Sequence, residues 1–290
     1  MLGTEHVDTL DSKYWLAYTV QGQEKYAEAE QLFRQSAQQR GKVLGAEHAD
    51  TLDSKHMVAW MLFQQQRHSE AEQLFGQLVQ QRKGTVGAEH RDTLNSKYGL
   101  ARALHAQQKH GEAEQLFLQL VQQLEKALGA EHVDTLASKY GLAVALHYQQ
   151  KYVEAEQLFR WLVQQQEKTL GAEHGDTLLS KYHLASALCG QQKDVEAEQL
   201  LPSVVQQMEK VFGADDATTL DGKSLLQKLA KTSTLSNSLT ESVLSRLSDL
   251  FVQGTEMRTA YSDSEIQQVS LLLSEINTQW SKVPRTYMTL

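Results

Sequence analysis

A chain of 290 residues with a net charge of −8 lacks the basic balance a general nucleic-acid binder uses to neutralise phosphates. Its single cysteine, Cys189, excludes an internal disulfide, and no run approaches the roughly 20 apolar residues of a transmembrane helix. With only two prolines, Pro202 and Pro284, and no secretory signal at the N-terminus, the expectation is a helix-rich soluble protein of the cytoplasm, with no membrane partner.

Self-similarity decides the architecture. Gly3, Gly45, Gly87, Gly129, Gly171 and Gly213 stand 42 residues apart, each opening the phrase Gly-Ala-Glu-His-x-Asp-Thr-Leu or a close variant. Downstream, Glu-Ala-Glu-Gln-Leu begins at Glu28, Glu70, Glu112, Glu154 and Glu196, so no insertion has entered any unit. Each unit reads as two helices. In the fourth, the first helix runs from about Asp134 to the Gln-rich turn with Leu136, Tyr140, Ala143 and Leu146 at helical intervals. The second begins near Tyr152, with Ala155, Leu158/Phe159 and Leu162/Val163 as its apolar stripe, and stops at Leu170-Gly171.

Small residues mark where two helices approach closely: Ala17, Ala59, Ala101, Ala143 and Ala185 on first helices, Ala29, Ala71, Ala113, Ala155 and Ala197 on second ones. Leu16, Val58, Leu100, Leu142 and Leu184 precede the first series and are expected to be core. The pattern predicts an all-α, right-handed superhelical solenoid of tetratricopeptide helix–turn–helix repeats, with five full units and a decayed sixth half-unit over residues 1–230. HEAT and armadillo repeats have similar lengths but do not predict this small-residue pair.

The phrase LGAEHxDTLxSKYxLAxxLxxQxKYxEAEQL resembles the repeats of kinesin light chains and is similar to the C-terminal arrays of fungal NLR-like proteins. The resemblance spans about residues 2–230 and implies a non-catalytic protein–protein interaction scaffold whose first helices line a concave groove. It also leaves open a sensor array that is a fragment of a larger signalling NTPase or kinase, or a motor adaptor. Two features depart from the light chains. Their proline after the loop histidine is replaced by Val7, Ala49, Arg91, Val133 and Gly175. Their asparagine pair, which holds a bound peptide's backbone, is replaced by Tyr14-Trp15, His56-Met57, Tyr98-Gly99, Tyr140-Gly141 and Tyr182-His183.

Aligning the alanines predicts the groove-facing positions as Tyr14, Tyr18 and Gln21, then His56, Trp60 and Phe63, Tyr98, Arg102 and His105, Tyr140, Val144 and His147, and Tyr182, Ser186 and Cys189. Eight of these fifteen are Tyr, Trp, Phe or Arg, the types that dominate binding hot spots, in a chain with only 7% aromatics. Packing explains the recurring tyrosine equally well, as a seam between neighbouring first helices. Trp60, Phe63, Arg102, His105 and His147 break the internal symmetry, as ligand contacts do. The predicted partner is a protein or an extended or helical peptide.

No catalytic residue, cofactor or metal site is expected. The five loop histidines would lie about 10 Å apart on stacked repeats, too far to share an ion that needs ligand atoms at about 2 Å. The two carboxylates of Glu-Ala-Glu do not share a helix face, and a solvated first turn accounts for them. Lys13, Lys55, Lys97, Lys139 and Lys181 read as stems that cover apolar surface while the ammonium reaches water or a carboxylate, the alternative being a basic rail.

Residues 231–290 are read as a helical C-terminal extension of two amphipathic helices, one carrying Leu235, Leu239, Val243, Leu247 and Leu250, the other Ile266, Val269, Leu273, Ile276 and Trp280. Both chain ends look cut, so we expect part of a larger protein or a shortened product, with self-association through uncapped repeat ends.

Overall fold

The computed structural model describes residues 7–232 and 245–246. Apart from 245–246, which are helical and exposed, the two amphipathic helices expected in 231–290 lie outside the described residues. The described chain is all-α. Ten helices alternate as first and second members of five hairpins: α1 (Val7–Gln21), α2 (Tyr26–Val43), α3 (Ala49–Gln64), α4 (His68–Thr85), α5 (Arg91–Ala106), α6 (His110–Leu128), α7 (Val133–Tyr148), α8 (Tyr152–Thr169), α9 (Gly175–Gly190) and α10 (Asp194–Val211). A further helical stretch, α11, covers 217–232. Packing divides the chain into two compact units, Met1–Leu158 and Phe159–Leu290.

The repeated loop phrase is a helix-starting device. His48, His90, His132 and His174 are N-caps whose side chains accept a hydrogen bond from the backbone N–H of Asp50, Asp92, Asp134 and Asp176. The threonine that follows donates its hydroxyl back to the loop glycine carbonyl, as from Thr93 to Gly87 at 2.7 Å and from Thr135 to Gly129 at 2.9 Å. These glycines hold φ between 92° and 108°; at Gly129 φ is 92° and ψ is 164°. At Gly129 that is an extended backbone with positive φ, a region open essentially to glycine alone. In the decayed sixth phrase Asp216 takes the histidine's place and its carboxylate accepts from the N–H of Thr218 and Thr219 at 2.9 and 3.1 Å. The motif changes while the capping persists.

Within the first unit, each second helix packs most extensively on the first helix of the next repeat, α2 on α3, α4 on α5 and α6 on α7. Every alanine of both ladders is fully buried. Phe33, Phe75 and Phe117 sit at the centre of this packing. Tyr14 meets Phe33 edge-on at 5.3 Å, His56 meets Phe75 at 5.4 Å and Tyr98 meets Phe117 at 5.9 Å. The recurring tyrosine therefore packs on the phenylalanine of its own hairpin, not only along a seam of first helices. On the other side of the ring stands the next repeat, where Gly99 and Gly141 leave room for Phe75 and Phe117 that a Cβ on either glycine would fill. In the second unit His183 occupies that place and stacks on Phe159 at 5.5 Å with 12° between the planes.

Polar groups latch successive repeats. The second carboxylate of Glu-Ala-Glu is not a solvated group. Glu30 is buried and accepts from Gln65 Nε2 at 2.8 Å and Arg67 Nη1 at 2.9 Å, both from the next hairpin's turn. Gln107 and Lys109 hold Glu72 in the same way, and Gln149 and Lys151 hold Glu114. The glutamine amide is itself fixed by two backbone carbonyls, one from each repeat. A buried arginine adds a clasp in the first two repeats. Arg40 pairs with Asp11 at 2.5 Å and donates to Asp50 O and Ser54 Oγ at 3.1 Å; Arg82 does the same with Asp53, Asp92 O and Ser96 Oγ. In repeat three the corresponding residues are Leu124 and Asn95, and the shorter leucine leaves a small cleft lined by Asn95, Tyr98, Asp134 and Ser138.

The lysine ladder is engaged. Lys139 and Lys181 reach Glu125 and Glu167 at 2.7 Å, Lys13 and Lys97 donate to Gln39 and Gln123, and Lys55 to a loop carbonyl. These contacts tie the five lysines to the protein's own carboxylates, amides and carbonyls and speak against a free basic rail among the described residues.

Candidate partner-binding face

Five of the expected groove residues meet on the face shared by α3 and α5. The Trp60 indole N–H donates to His56 Nε2 at 2.9 Å, its ring lies 5.6 Å from Phe63 and 5.3 Å from Phe75, and Tyr98 approaches it at 6.4 Å from the next helix. Over this surface lies the exposed Arg102 guanidinium, 5.4 Å from the Trp60 ring and 4.9 Å from the Phe63 ring. Helix periodicity builds the arrangement: 56, 60 and 63 are successive turns of α3, and 98 and 102 face them from α5.

A second cluster continues toward α7. His105 and His110 bring their Nδ1 atoms to 3.1 Å across the hairpin turn. Tyr148 stacks on His110 at 5.2 Å, meets His105 at 5.1 Å and reaches His147 at 5.6 Å. His147 also contacts Tyr152 at 5.3 Å. His68, which packs on Phe63 at 5.1 Å, completes the row. His68, His110, Tyr148 and Tyr152 were not among the residues expected from sequence. Three of them stand five residues after the third groove position of their repeat, at the first position of a second helix, and that spacing is their sequence signal.

Other expected residues stand apart. Tyr14 is half-buried under Arg40, 4.6 Å above its ring, while Tyr18 is exposed beside Trp15 at 5.8 Å. Gln21, Tyr140 and Val144 are half-buried in the first unit. In the second unit, Tyr182 packs against Leu178, Val204 and Met208, and Ser186 and Cys189 are half-buried.

The charges are arranged simply. Burial, helped by Arg82, pushes His56 down to about 3, and burial with His110 and Arg102 pushes His105 to about 4. Burial lowers His147 as well. These imidazoles are neutral at physiological pH, so Arg102 carries the charge of the α3–α5 cluster. Burial raises the Asp53 carboxyl against the opposing pull of Arg82. The Cys189 thiol is pushed up to about 11, chiefly by burial and then by Asp194, which removes it from the range of a reactive thiolate. Among the described residues, no group of three or more His, Cys, Asp or Glu side chains could hold a metal ion, and no helix is long and apolar enough to cross a membrane.

Stacked helical hairpins of this kind make a scaffold for protein–protein interaction. The chain belongs to the tetratricopeptide repeat family, whose model matches residues 8–84 and 92–168. A crystal structure from Podospora anserina, described as putative kinesin light chain nearly identical TPR-like repeats, is 33% identical, covers 71% of this chain and 98% of that one, and superposes with a TM-score of 0.59. A single-substitution variant of those repeats is 32% identical over 73% and 99% of the two chains, with a TM-score of 0.60. BtubC (BKLC) from P. vanneervenii, 12% identical over 71% and 82%, has a TM-score of 0.61 and shares the fold. No curated protein matches the chain.

Proposed function

We propose that the chain binds a peptide segment of a partner protein along the first helices of its first unit, with Trp60, Phe63 and Arg102 as the anchor. The observation that carries this reading is the Arg102 guanidinium lying over both the Trp60 and Phe63 rings. A half-buried aromatic floor with a fixed cation on top offers contact area, hydrogen bonds and little entropy to lose, the ingredients of a binding hot spot. The anchor residues differ at the corresponding positions of every other repeat, although the packing residues beneath them recur. Burial keeps the Cys189 thiol protonated, so it does not act as a nucleophile there. In keeping with family membership, the function is that of a non-catalytic scaffold, and the residues of the α3–α5 face select the partner.

The test is a displayed library of random peptides panned on the wild-type chain and counter-screened on a Trp60→Ala/Phe63→Ala/Arg102→Ala variant. Peptides retained by the wild type and lost by the variant support the reading. Peptides that bind both alike overturn it.

A further inference from the structure

Repeat three keeps the shell of a buried arginine without the arginine. Around Arg40 stand the Tyr14 ring, 4.6 Å from the guanidinium, the Asp11 carboxylate, the Asp50 carbonyl and the Ser54 hydroxyl. Arg82 sits in the corresponding shell of Asp53, Asp92 O and Ser96 Oγ. Two repeats on from the Arg40 shell the chain places Tyr98, Asn95, Asp134 and Ser138, but Leu124 stands for the arginine. All five line one cleft of about 60 Å³, several times the roughly 10–15 Å³ that admits a water molecule. Asp134 Oδ2 is shielded from solvent and accepts no hydrogen bond, with Arg91 Nε and His132 Nδ1 each 3.8 Å away. Repeat five, by contrast, has apolar residues at both clasp positions, Leu179 and Met208. Repeat three has lost the cation and kept a ring, an amide, a carbonyl and a hydroxyl where the cation was held.

From this match we infer that the Asn95–Tyr98–Asp134–Ser138 cleft binds a guanidinium group, the head of an arginine side chain or of a free guanidino compound. A guanidinium is flat and donates from a fork. It can lie on the Tyr98 ring while its N–H groups reach Asn95 Oδ1, the Asp134 carbonyl or carboxylate, and Ser138 Oγ. An ammonium is a compact, strongly hydrated charge that does not stack in this way. Entry is from the surface. Asn95 is exposed, and Asp11 and Asp53, which hold its place in the two arginine clasps, are each 47% exposed. Arg91 is 73% exposed, so solvent screens its competition for Asp134. Tyr98 also borders Trp60 on the α3–α5 face, which puts the cleft within reach of an arginine carried by the peptide proposed above. That source rests on the proposed function; the chemistry of the cleft does not.

The test titrates N-acetyl-arginine amide into the full chain and follows the isotope-labelled Tyr98 ring by NMR. The expected result is saturable binding with a Kd on the order of millimolar, about tenfold weaker for N-acetyl-citrulline amide, the uncharged isostere. Asn95→Asp should strengthen arginine binding, and Asn95→Leu, a change at an exposed position, should remove it. Asn95→Asp/Leu124→Arg, which rebuilds the clasp within the chain, should remove it as well. The Trp60→Ala/Phe63→Ala/Arg102→Ala variant should retain it, so that this site and the peptide anchor fail separately. No binding, equal binding of arginine and citrulline, or binding that survives both Asn95→Leu and the rebuilt clasp would overturn the inference. Two further arms identify the source. Library-selected peptides that weaken about tenfold when an arginine is exchanged for citrulline assign it to a partner's arginine. Capped-arginine affinity that rises in Arg258→Gln/Arg285→Gln assigns it to the chain's own arginines, and neither result assigns it to a free guanidino compound.

Discussion

The Trp60 indole N–H donates to His56 Nε2 at 2.9 Å, so the anchor of the face rests on an imidazole that must stay neutral. Burial holds His56 at about 3, against an ordinary 6.5 in the unfolded chain. Between these values the unfolded state binds the extra proton, so stability rises with pH across the window. The contribution is fully present above pH 6.5 and is lost as pH falls toward 3. His56→Tyr, the residue of the neighbouring repeats, should flatten urea-unfolding free energies between pH 6.5 and 4 by about 1.4 kcal/mol per pH unit. An unchanged slope would show that His56 is not the group responsible.

The arginine clasp predicts a compensated swap. Asp53→Leu strands the buried Arg82 guanidinium and should cost about 3 kcal/mol. Adding Arg82→Met should recover most of that loss, because repeat five places Leu179 and Met208 at the same two positions. Chemical denaturation of the two single variants and the double variant measures the coupling. Additive losses would contradict this account of the clasp.

Two helical glycines should respond oppositely to the same substitution. A Cβ at Gly141 falls inside van der Waals contact of the Phe117 ring, whereas at Gly111 the nearest atom is Gln149 Oε1 at 4.0 Å. Gly141→Ala should therefore lower stability by about 1–3 kcal/mol through overpacking, while Gly111→Ala raises it by up to about 1 kcal/mol through helix propensity. Thermal unfolding of the pair decides.

The hairpin turns test backbone conformation. Gln66, Gln108 and Gln150 hold φ of 62°, 64° and 63°, the left-handed region that costs a side chain about 1–2 kcal/mol. Gln108→Gly should raise the melting temperature despite the greater freedom glycine has when unfolded. A fall would mean that the glutamine side chain contributes more than its backbone strain costs.

Most of the fold was legible because one unit is written five times and the alanine ladders fix the face of each helix. Leu16 was the exception: its type matches the series, yet it is 53% exposed, since burial depends on a neighbouring helix that α1 does not have among the described residues. The latch on Glu30 was also hidden. Its partners stand 35 and 37 residues away, and the adjacent Glu28 is exposed, so the sequence alone reads both as a solvated turn. At the candidate site, α-helical spacing located His56, Trp60, Phe63, Tyr98 and Arg102. It did not supply His110 or Tyr148, which enter the face only because the hairpin turn folds the start of α6 beside the end of α5 and the end of α7 beside both.

On the proposed reading, a partner's peptide lies on the first helices of the first unit. Photo-cross-linking addresses it directly, using a library-selected peptide and benzoylphenylalanine placed at Val144, on the expected face, or at Leu118, exposed on second helix α6. Adducts at position 144, absent at 118 and abolished by Trp60→Ala/Phe63→Ala/Arg102→Ala, are the predicted result. Adducts at 118 that persist in the triple variant would contradict it.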